Sequence, residues 1–279
     1  MKGKIVKQIS NLYTVRCGDA LYGCRARGKF RKDNISPMVG DNVIIDSNDN
    51  VITDILPRKN ELTRPVISNI DIAFIVTSVK KPNLDLNLLD KLISIITYND
   101  IEPVIVFTKL DLLDEVEIAE IEALRKYYSY IGIKCCYNTE KVEILNIIKD
   151  KIVVLAGQTG AGKSSLLNRI DDNLEIEVQE ISEALGRGKH TTRHVELFEI
   201  GEGFIADTPG FSCIDLKEMN REQLRDSFIE FSNYECKFRD CKHDKEISCG
   251  VKEALEDKKI LKSRYNNYLQ FLKEIDKWK

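Results

Sequence analysis

Four short stretches of the 279-residue chain carry side chains that could hold a nucleotide or a metal. The first, Gly157-Gln158-Thr159-Gly160-Ala161-Gly162-Lys163-Ser164, is a complete GxxxxGK[ST] loop. Its glycines let backbone N–H groups converge on phosphate oxygens, and a helix beginning at Ser165 adds its N-terminal donors. Lys163 is expected to reach the β- and γ-phosphates, and the Ser164 hydroxyl to ligate Mg²⁺. The second stretch is Asp207-Thr208-Pro209-Gly210, 44 residues beyond Lys163 and at the end of an expected strand. Asp207 is placed to hold Mg²⁺ through water, and the Gly210 N–H to register the γ-phosphate. The third is Thr108-Lys109-Leu110-Asp111, close to the guanine-reading pattern Asn-Lys-x-Asp. The Asp111 carboxylate can accept from guanine N1–H and the exocyclic amine. Adenine offers an acceptor at N1 and no amine at C2, so the carboxylate selects against it. Lys109 is expected along the base and ribose. Thr108 replaces Asn, which predicts a single hydroxyl tether to the phosphate loop and weaker nucleotide binding with the same base preference.

The fourth stretch is Cys236-x₄-Cys241-x-His243-x₅-Cys249. Three thiolates and one imidazole favour tetrahedral Zn²⁺, and a filled shell makes the site structural. Lys237, Arg239, Asp240, Lys242, Asp244 and Lys245 surround the ligands, which predicts a shallow site; the basic ones could double as phosphate contacts. The other cysteines, Cys17, Cys24, Cys135, Cys136 and Cys213, read as free thiols of a reducing cytoplasm.

Hydrolysis needs a water-positioning group, and the residue after Asp207–Gly210 is Phe211, which can neither accept nor donate a proton. The water must be organised by another side chain, by a partner or by a monovalent cation. His190 and His194 are the imidazoles not assigned to metal. His190 is the candidate, with Thr191 or Thr192 offering a hydroxyl to Mg²⁺. The surrounding Gly186 and Gly188 suggest a loop that orders on a partner, which would make that partner the activator.

These motifs need elements to position them. Residues 1–66 read as five short strands, near 4–6, 12–16, 19–27, 42–45 and 51–55, and predict a small closed barrel, of which the five-stranded OB type is one candidate. That segment carries 12 Lys/Arg against 7 Asp/Glu, whereas residues 67–210 carry 15 against 24, a basic module beside an acidic one. Arg25, Arg27, Lys29, Arg31 and Lys32 around Phe30 are either a nucleic-acid footprint or a solvated edge strand with a basic loop. From about Asn69, strands and helices alternate, which predicts a parallel α/β sheet over 67–212. Strands are expected at Ile70–Ser78, Pro103–Phe107, Ile131–Cys135, Ile152–Ala156 and Gly203–Ala206, with Val195–Ile200 an antiparallel edge strand. Residues 213–279 read as a small helical domain stapled by the metal. No apolar stretch is long enough to cross a bilayer and no signal core follows Met1, which points to a cytoplasmic, non-membrane protein.

The motif order is unusual, because Asp111 precedes Lys163 by 52 residues. A guanine-reading loop ahead of the phosphate loop is what a circularly permuted GTPase requires. It also runs Asp207–Gly210 directly into the helical domain, so phosphate sensing could move that domain.

With this order the chain resembles the bacterial ribosome small-subunit-dependent GTPases of the RsgA/YloQ type over essentially its whole length. The resemblance rests on Pro37–Asp41, Arg58–Pro65 leading into Ser68–Asp71, Thr108–Asp111, the phosphate loop, Gly186–Arg193, Asp207–Ser212 and the Cys₃His spacing. It implies an N-terminal OB-type barrel, a circularly permuted P-loop GTPase α/β domain and a C-terminal helical zinc domain. It further implies binding of GTP or GDP with Mg²⁺, one structural Zn²⁺, action on the 30S subunit and its 16S rRNA in late maturation, and stimulation by that subunit. A catalytic histidine of the family matches His190. Cys135-Cys136 stands where the guanine-stacking loop usually offers Ser or Ala, and Ser165 follows the loop serine. The chain is expected to be monomeric. The rival readings are a GTPase acting on another RNA or protein, and a nucleotide-gated scaffold with negligible hydrolysis.

Overall fold

The computed structural model describes residues 1–28, 30, 35–63, 65–171, 195–207 and 216–277. The strands are β1 (Lys2–Ile9), β2 (Leu12–Cys17), β3 (Ala20–Ala26), β4 (Asn42–Asp46), β5 (Val51–Ile55), β6 (Glu61–Thr63), β7 (Val66–Ser68), β8 (Ile72–Ser78), β9 (Glu102–Thr108), β10 (Lys134–Tyr137), β11 (Ile152–Ala156), β12 (Glu196–Ile200) and β13 (Gly203–Asp207). The helices are α1 (Leu86–Tyr98), α2 (Glu115–Tyr130), α3 (Lys141–Ile148), α4 (Lys163–Ile170), α5 (Arg221–Ser227), α6 (Gly250–Glu256) and α7 (Lys262–Asp276). They group into two compact units. One comprises Met1–Phe74, Asn138–Ala156 and Lys163–Phe211; the other comprises Ile75–Tyr137, Gly157–Gly162 and Ser212–Lys279.

In the first unit the order β1-β2-β3-β5-β4, with β4 returning to β1, closes a five-stranded OB-type barrel. Alternation along each strand sends Ile5, Val15, Cys24, Val43 and Ile52 into its core, all without solvent exposure. Arg58 ties the barrel to the chain that leaves it: its guanidinium donates to both oxygens of the buried Asp41 carboxylate, at 2.7 and 2.8 Å. Burial opposes the charge on Arg58, but the Asp41 bond outweighs it and holds the pKa above its ordinary value.

The same unit holds β11, β13 and β12 in that order. β11 and β13 are parallel, and β13 and β12 form an antiparallel hairpin with Ile200↔Gly203 at its turn. The antiparallel sense of β12 is as expected, but its position is not. Its outer side pairs with β1 through Lys7↔Glu196, so it is not an edge. The pairing bridges residues 189 apart in sequence, a separation at which local patterning carries no signal.

The second unit contains the strand order β10-β9-β8, with β10 and β9 parallel in the register Lys134↔Val104 to Tyr137↔Phe107. β10 begins three residues later than the expected 131 because Ile131 caps α2 and Gly132 takes φ +94. Asp85 caps α1 by accepting from the Asn87 and Leu88 N–H groups. Asp114 and Glu117 form a capping box on α2.

The C-terminal helices build a core that extends onto α1. Leu224, Phe228, Phe231, Tyr268 and Phe271 are buried in one cluster with Ile95 of α1. Beneath it lies a fully buried ion cluster. The Arg264 guanidinium donates to both carboxylate oxygens of Glu230 and, at 2.7 Å, to Asp90 on α1. Tyr128 Oη (2.8 Å) and Asn267 Nδ2 (2.7 Å) complete the shell of Asp90. Burial disfavours the Arg264 charge, yet Glu230 and Asp90 more than offset this and raise its pKa. Burial first, then Asp90, holds the Tyr128 hydroxyl well above its usual range, so it remains a donor. Moving 216–277 away from α1 would strand these buried charges. Arg264→Met should destabilise the protein by ~3–5 kcal/mol, since it leaves two buried carboxylates without their cation, and urea unfolding measures the loss.

Candidate nucleotide site and metal centre

The phosphate loop begins where β11 ends. Gly157, Gly160 and Gly162 take φ of +125, +77 and +99, a region that penalises a side chain. At Gly157 the constraint is also steric, because a Cβ would stand 2.1 Å from the Val76 carbonyl oxygen of β8. Gln158 is half-buried and Thr159 exposed.

Thr108, at the end of β9, is buried and donates from Oγ1 to the Ala161 carbonyl at 2.5 Å. The expected single tether is present. The Thr77 carbonyl at the end of β8 lies 3.4 Å from the same oxygen, whose one proton goes to Ala161. Lys109 sits in the left-handed region at φ +63. Its ammonium donates to the Gly160 carbonyl at 2.7 Å and to the Lys81 carbonyl. This bracing role is one that sequence reasoning missed. Asp111 lies in the 3-10 turn Leu110–Leu112 with its side chain exposed, open to a base.

Lys163 and Ser164 open α4; both are half-buried, and Ser165 is exposed. Burial lowers the Lys163 pKa, a desolvation cost that an incoming polyphosphate would offset. Asp207 ends β13, its backbone in register with Glu196. His190, Thr191, Thr192, His194, Gly210 and Phe211 lie outside the described residues, as do Lys29, Arg31, Lys32 and Arg64.

Cys135 and Cys136 are not where a base-stacking loop would leave the strand. Both are buried inside β10, opposite Ile105 and Val106. Burial pushes the Cys135 thiol up to about 12. The strand ends at Tyr137, whose ring packs under the Arg125 guanidinium at 4.3 Å, and the chain turns only at Asn138–Thr139. The expectation was displaced with the strand boundary itself.

The Cys₃His residues converge. Their ligand atoms lie within 4.8 Å of one another. Cys236 Sγ is 3.8 Å from Cys249 Sγ and 3.5 Å from His243 Nδ1, which is 3.3 Å from Cys249 Sγ. A tetrahedron of Zn–S bonds near 2.3 Å has edges of roughly 3.8 Å, so the spacing fits a metal of that size. Desolvation lowers the His243 pKa to about 4, which leaves the imidazole neutral, and raises the Cys241 thiol to about 12. Thiolates at such a site need a cation to hold them.

The site is deeper than its charged neighbours predicted. Cys241, His243 and Cys249 are buried, while Lys237, Arg239 and Lys242 point outward. Tyr265 and Tyr268, one turn apart on α7, donate to the His243 and Lys242 carbonyls at 2.6 and 2.7 Å and fasten the loop from below. Their i, i+3 spacing was the available signal. Beside the loop, a cavity of about 610 Å³ is lined by Phe231, Tyr234, Phe238, Arg225, Lys237 and Arg239.

On the barrel, a groove of about 680 Å³ runs between the β1–β2 turn and the chain after β3, lined by Leu12, Arg25, Arg27 and Ile35 among others. Phe30 is buried in its floor, so it is not free to stack on a base.

Comparison with known proteins gives the family. The RsgA GTPase model matches residues 55–217 and the RsgA N-terminal domain model residues 2–52. The Small ribosomal subunit biogenesis GTPase RsgA of Enterococcus faecalis is 45% identical, covering 99% of this chain and 96% of that protein. The protein of the same name from Streptococcus agalactiae is 46% identical over 99% and 96%. The crystal structure of YloQ, described as a circularly permuted GTPase, superposes with a TM-score of 0.85 at 35% identity, over 100% of this chain and 96% of that one. YjeQ from Thermotoga maritima gives the same score at 34% identity, over 98% of each chain.

Metal analysis should find one zinc per chain. Cys249→Ser should lower that content and cost several kcal/mol in thermal or urea unfolding, because metal binding at such a site is folding free energy.

Proposed function

Because the chain belongs to the RsgA GTPase family, we propose that it binds the small ribosomal subunit and hydrolyses GTP there during late subunit maturation. It is a GTP hydrolase with the circularly permuted motif order. The observation that carries the site is the bond from Thr108 Oγ1 to the Ala161 carbonyl, which joins the guanine loop to the phosphate loop across 53 residues of sequence. With Lys109 on Gly160, it makes the base reader and the phosphate cradle one preorganised piece.

In this reading Asp111 selects guanine, Gly157–Gly162 wraps the phosphates, and Lys163 meets the β- and γ-phosphates at the head of α4. Ser164, Thr191 and Asp207 would hold Mg²⁺, which neutralises charge on the phosphate oxygens when bound. Gly210 reports the γ-phosphate, and His190 orients the attacking water, since Phe211 cannot. Lys163 is catalytic in the electrostatic sense. The partner is RNA of the small subunit. Supporting this are the basic barrel, its groove beside Arg25 and Arg27, and the outward Lys237, Arg239 and Lys242 of the metal loop. No helix among the described residues is long and apolar enough to cross a membrane.

The test is GTP and ATP turnover with and without purified 30S subunits. GTP turnover should rise with 30S and not with 50S subunits or tRNA, and ATP should be a poor substrate in every case. His190→Ala should abolish the stimulated rate while GTP affinity persists; retention of that rate would remove His190 from the mechanism. Negligible turnover under all conditions would favour a nucleotide-gated scaffold.

Base selection has its own check. Asp111→Asn should weaken GTP binding by roughly 100-fold, as it replaces a charge-assisted bidentate acceptor. The same variant should improve binding of xanthosine triphosphate, whose C2 carbonyl can accept from the new amide. Fluorescent-nucleotide titration reads both.

A further inference from the structure

Strand β1 has two successive partners on one side. Lys2, Gly3 and Lys4 pair with Ile44, Val43 and Asn42 of β4 and close the barrel. Between Ile5 and Lys7 the register against β2 shifts, the mark of a bulge, which bends a strand and re-aims its edge. Beyond the bulge, Lys7 pairs with Glu196 of β12. Glu196 in turn faces Asp207 of β13. Lys7, Glu196 and Asp207 thus form one lateral row, running from the barrel to the residue proposed for Mg²⁺.

One backbone pair is a weak joint, and side chains reinforce it from two barrel strands. The Lys7 ammonium donates to both oxygens of Glu196, at 2.8 and 2.7 Å. The guanidinium of Arg16 on β2 pairs with Glu199, and its central carbon stands 5.8 Å from the ring centroid of Phe204 on β13. A bond from Arg16 Nε to the Gly18 carbonyl at 3.0 Å fixes that guanidinium. All four charged side chains are partly exposed, so neither pair is a major source of stability. Their value lies in position. They grip both strands of the β12–β13 hairpin, and the residues proposed for hydrolysis adjoin its open end in the chain: His190–Thr192 shortly before Glu196, and Asp207 as its last residue.

We propose that Lys7 and Arg16, through Glu196 and Glu199, are positioning residues that couple occupancy of the barrel by RNA to the geometry of the Glu196–Asp207 row and so to GTP hydrolysis. This rests on the reading that the small subunit stimulates turnover. Coupling between two sites is reciprocal, so it also has a signature without the subunit: nucleotide state must be felt in the barrel.

Two measurements on the full chain test the coupling. Hydrogen exchange of β1 and β2, compared between GDP and a non-hydrolysable GTP analogue without subunits, should differ in the wild type. The difference should vanish in Glu196→Lys/Glu199→Lys. Turnover gives the second readout: Glu196→Lys should cut 30S-stimulated turnover by about fivefold or more, the lower end of ordinary coupling energies. Basal turnover, nucleotide affinity and 30S co-sedimentation should be unchanged. The swapped pair Lys7→Glu/Glu196→Lys should restore stimulation, which a variant that merely folds badly would not do. The proposal is overturned by identical exchange in the two nucleotide states, by full stimulation of Glu196→Lys, or by failure of the swap. Absence of 30S stimulation in the wild type would instead sink the partner reading, and the exchange result would still decide the coupling.

Discussion

The nucleotide site depends on how closely the phosphate loop approaches the carboxyl end of β8. At Gly157 there is no room for even a methyl group against the Val76 carbonyl, so the loop's backbone lies directly on the strand. That contact brings Ala161 within reach of the Thr108 hydroxyl and Gly160 within reach of the Lys109 ammonium. A larger residue at 157 would push the loop off β8 and break both bonds. Thr108 for Asn is then less of a departure than its chemistry suggests. One short bond from a buried hydroxyl suffices where the two loops are already held in contact.

Electrostatics is used in two different ways. The Arg264–Asp90–Glu230 cluster is fully buried, so each charge is tolerable only because its partners are present. It makes the C-terminal helices and α1 one body. The Lys7–Glu196 and Arg16–Glu199 pairs remain wet, contribute little to stability, and can therefore open and close at small cost. Buried pairs fix what must not move. Exposed pairs on a single-residue strand joint suit a contact that responds to a partner.

The metal loop follows the logic of the buried cluster. Three of its four ligands are buried against Phe231 and Tyr268, and two tyrosine hydroxyls hold its carbonyls from α7. The loop leaves Phe238 and Ile247 exposed at its surface, with Lys237 and Arg239 beside them.

The sequence by itself determined the GxxxxGK[ST] loop, the Thr108–Asp111 pattern, the Cys₃His set, the barrel's strands and the permuted motif order. Each is written in contiguous residues or in short-period patterning, which local sterics and hydrogen bonding enforce. It also placed most element boundaries within a few residues. It misplaced β10, and with it Cys135 and Cys136, because the cap at Ile131 is as apolar as a strand. It placed the Cys₃His residues too near the surface, because charged neighbours in sequence need not be neighbours in burial. Only the tertiary structure decided that β12 is covered by β1, that Arg264 joins α7 to α1, and that Lys109 braces Gly160. Those contacts join residues 189, 174 and 51 positions apart. Pairings at that range are selected by which surfaces fit once the chain has folded, and no local pattern along the chain encodes them.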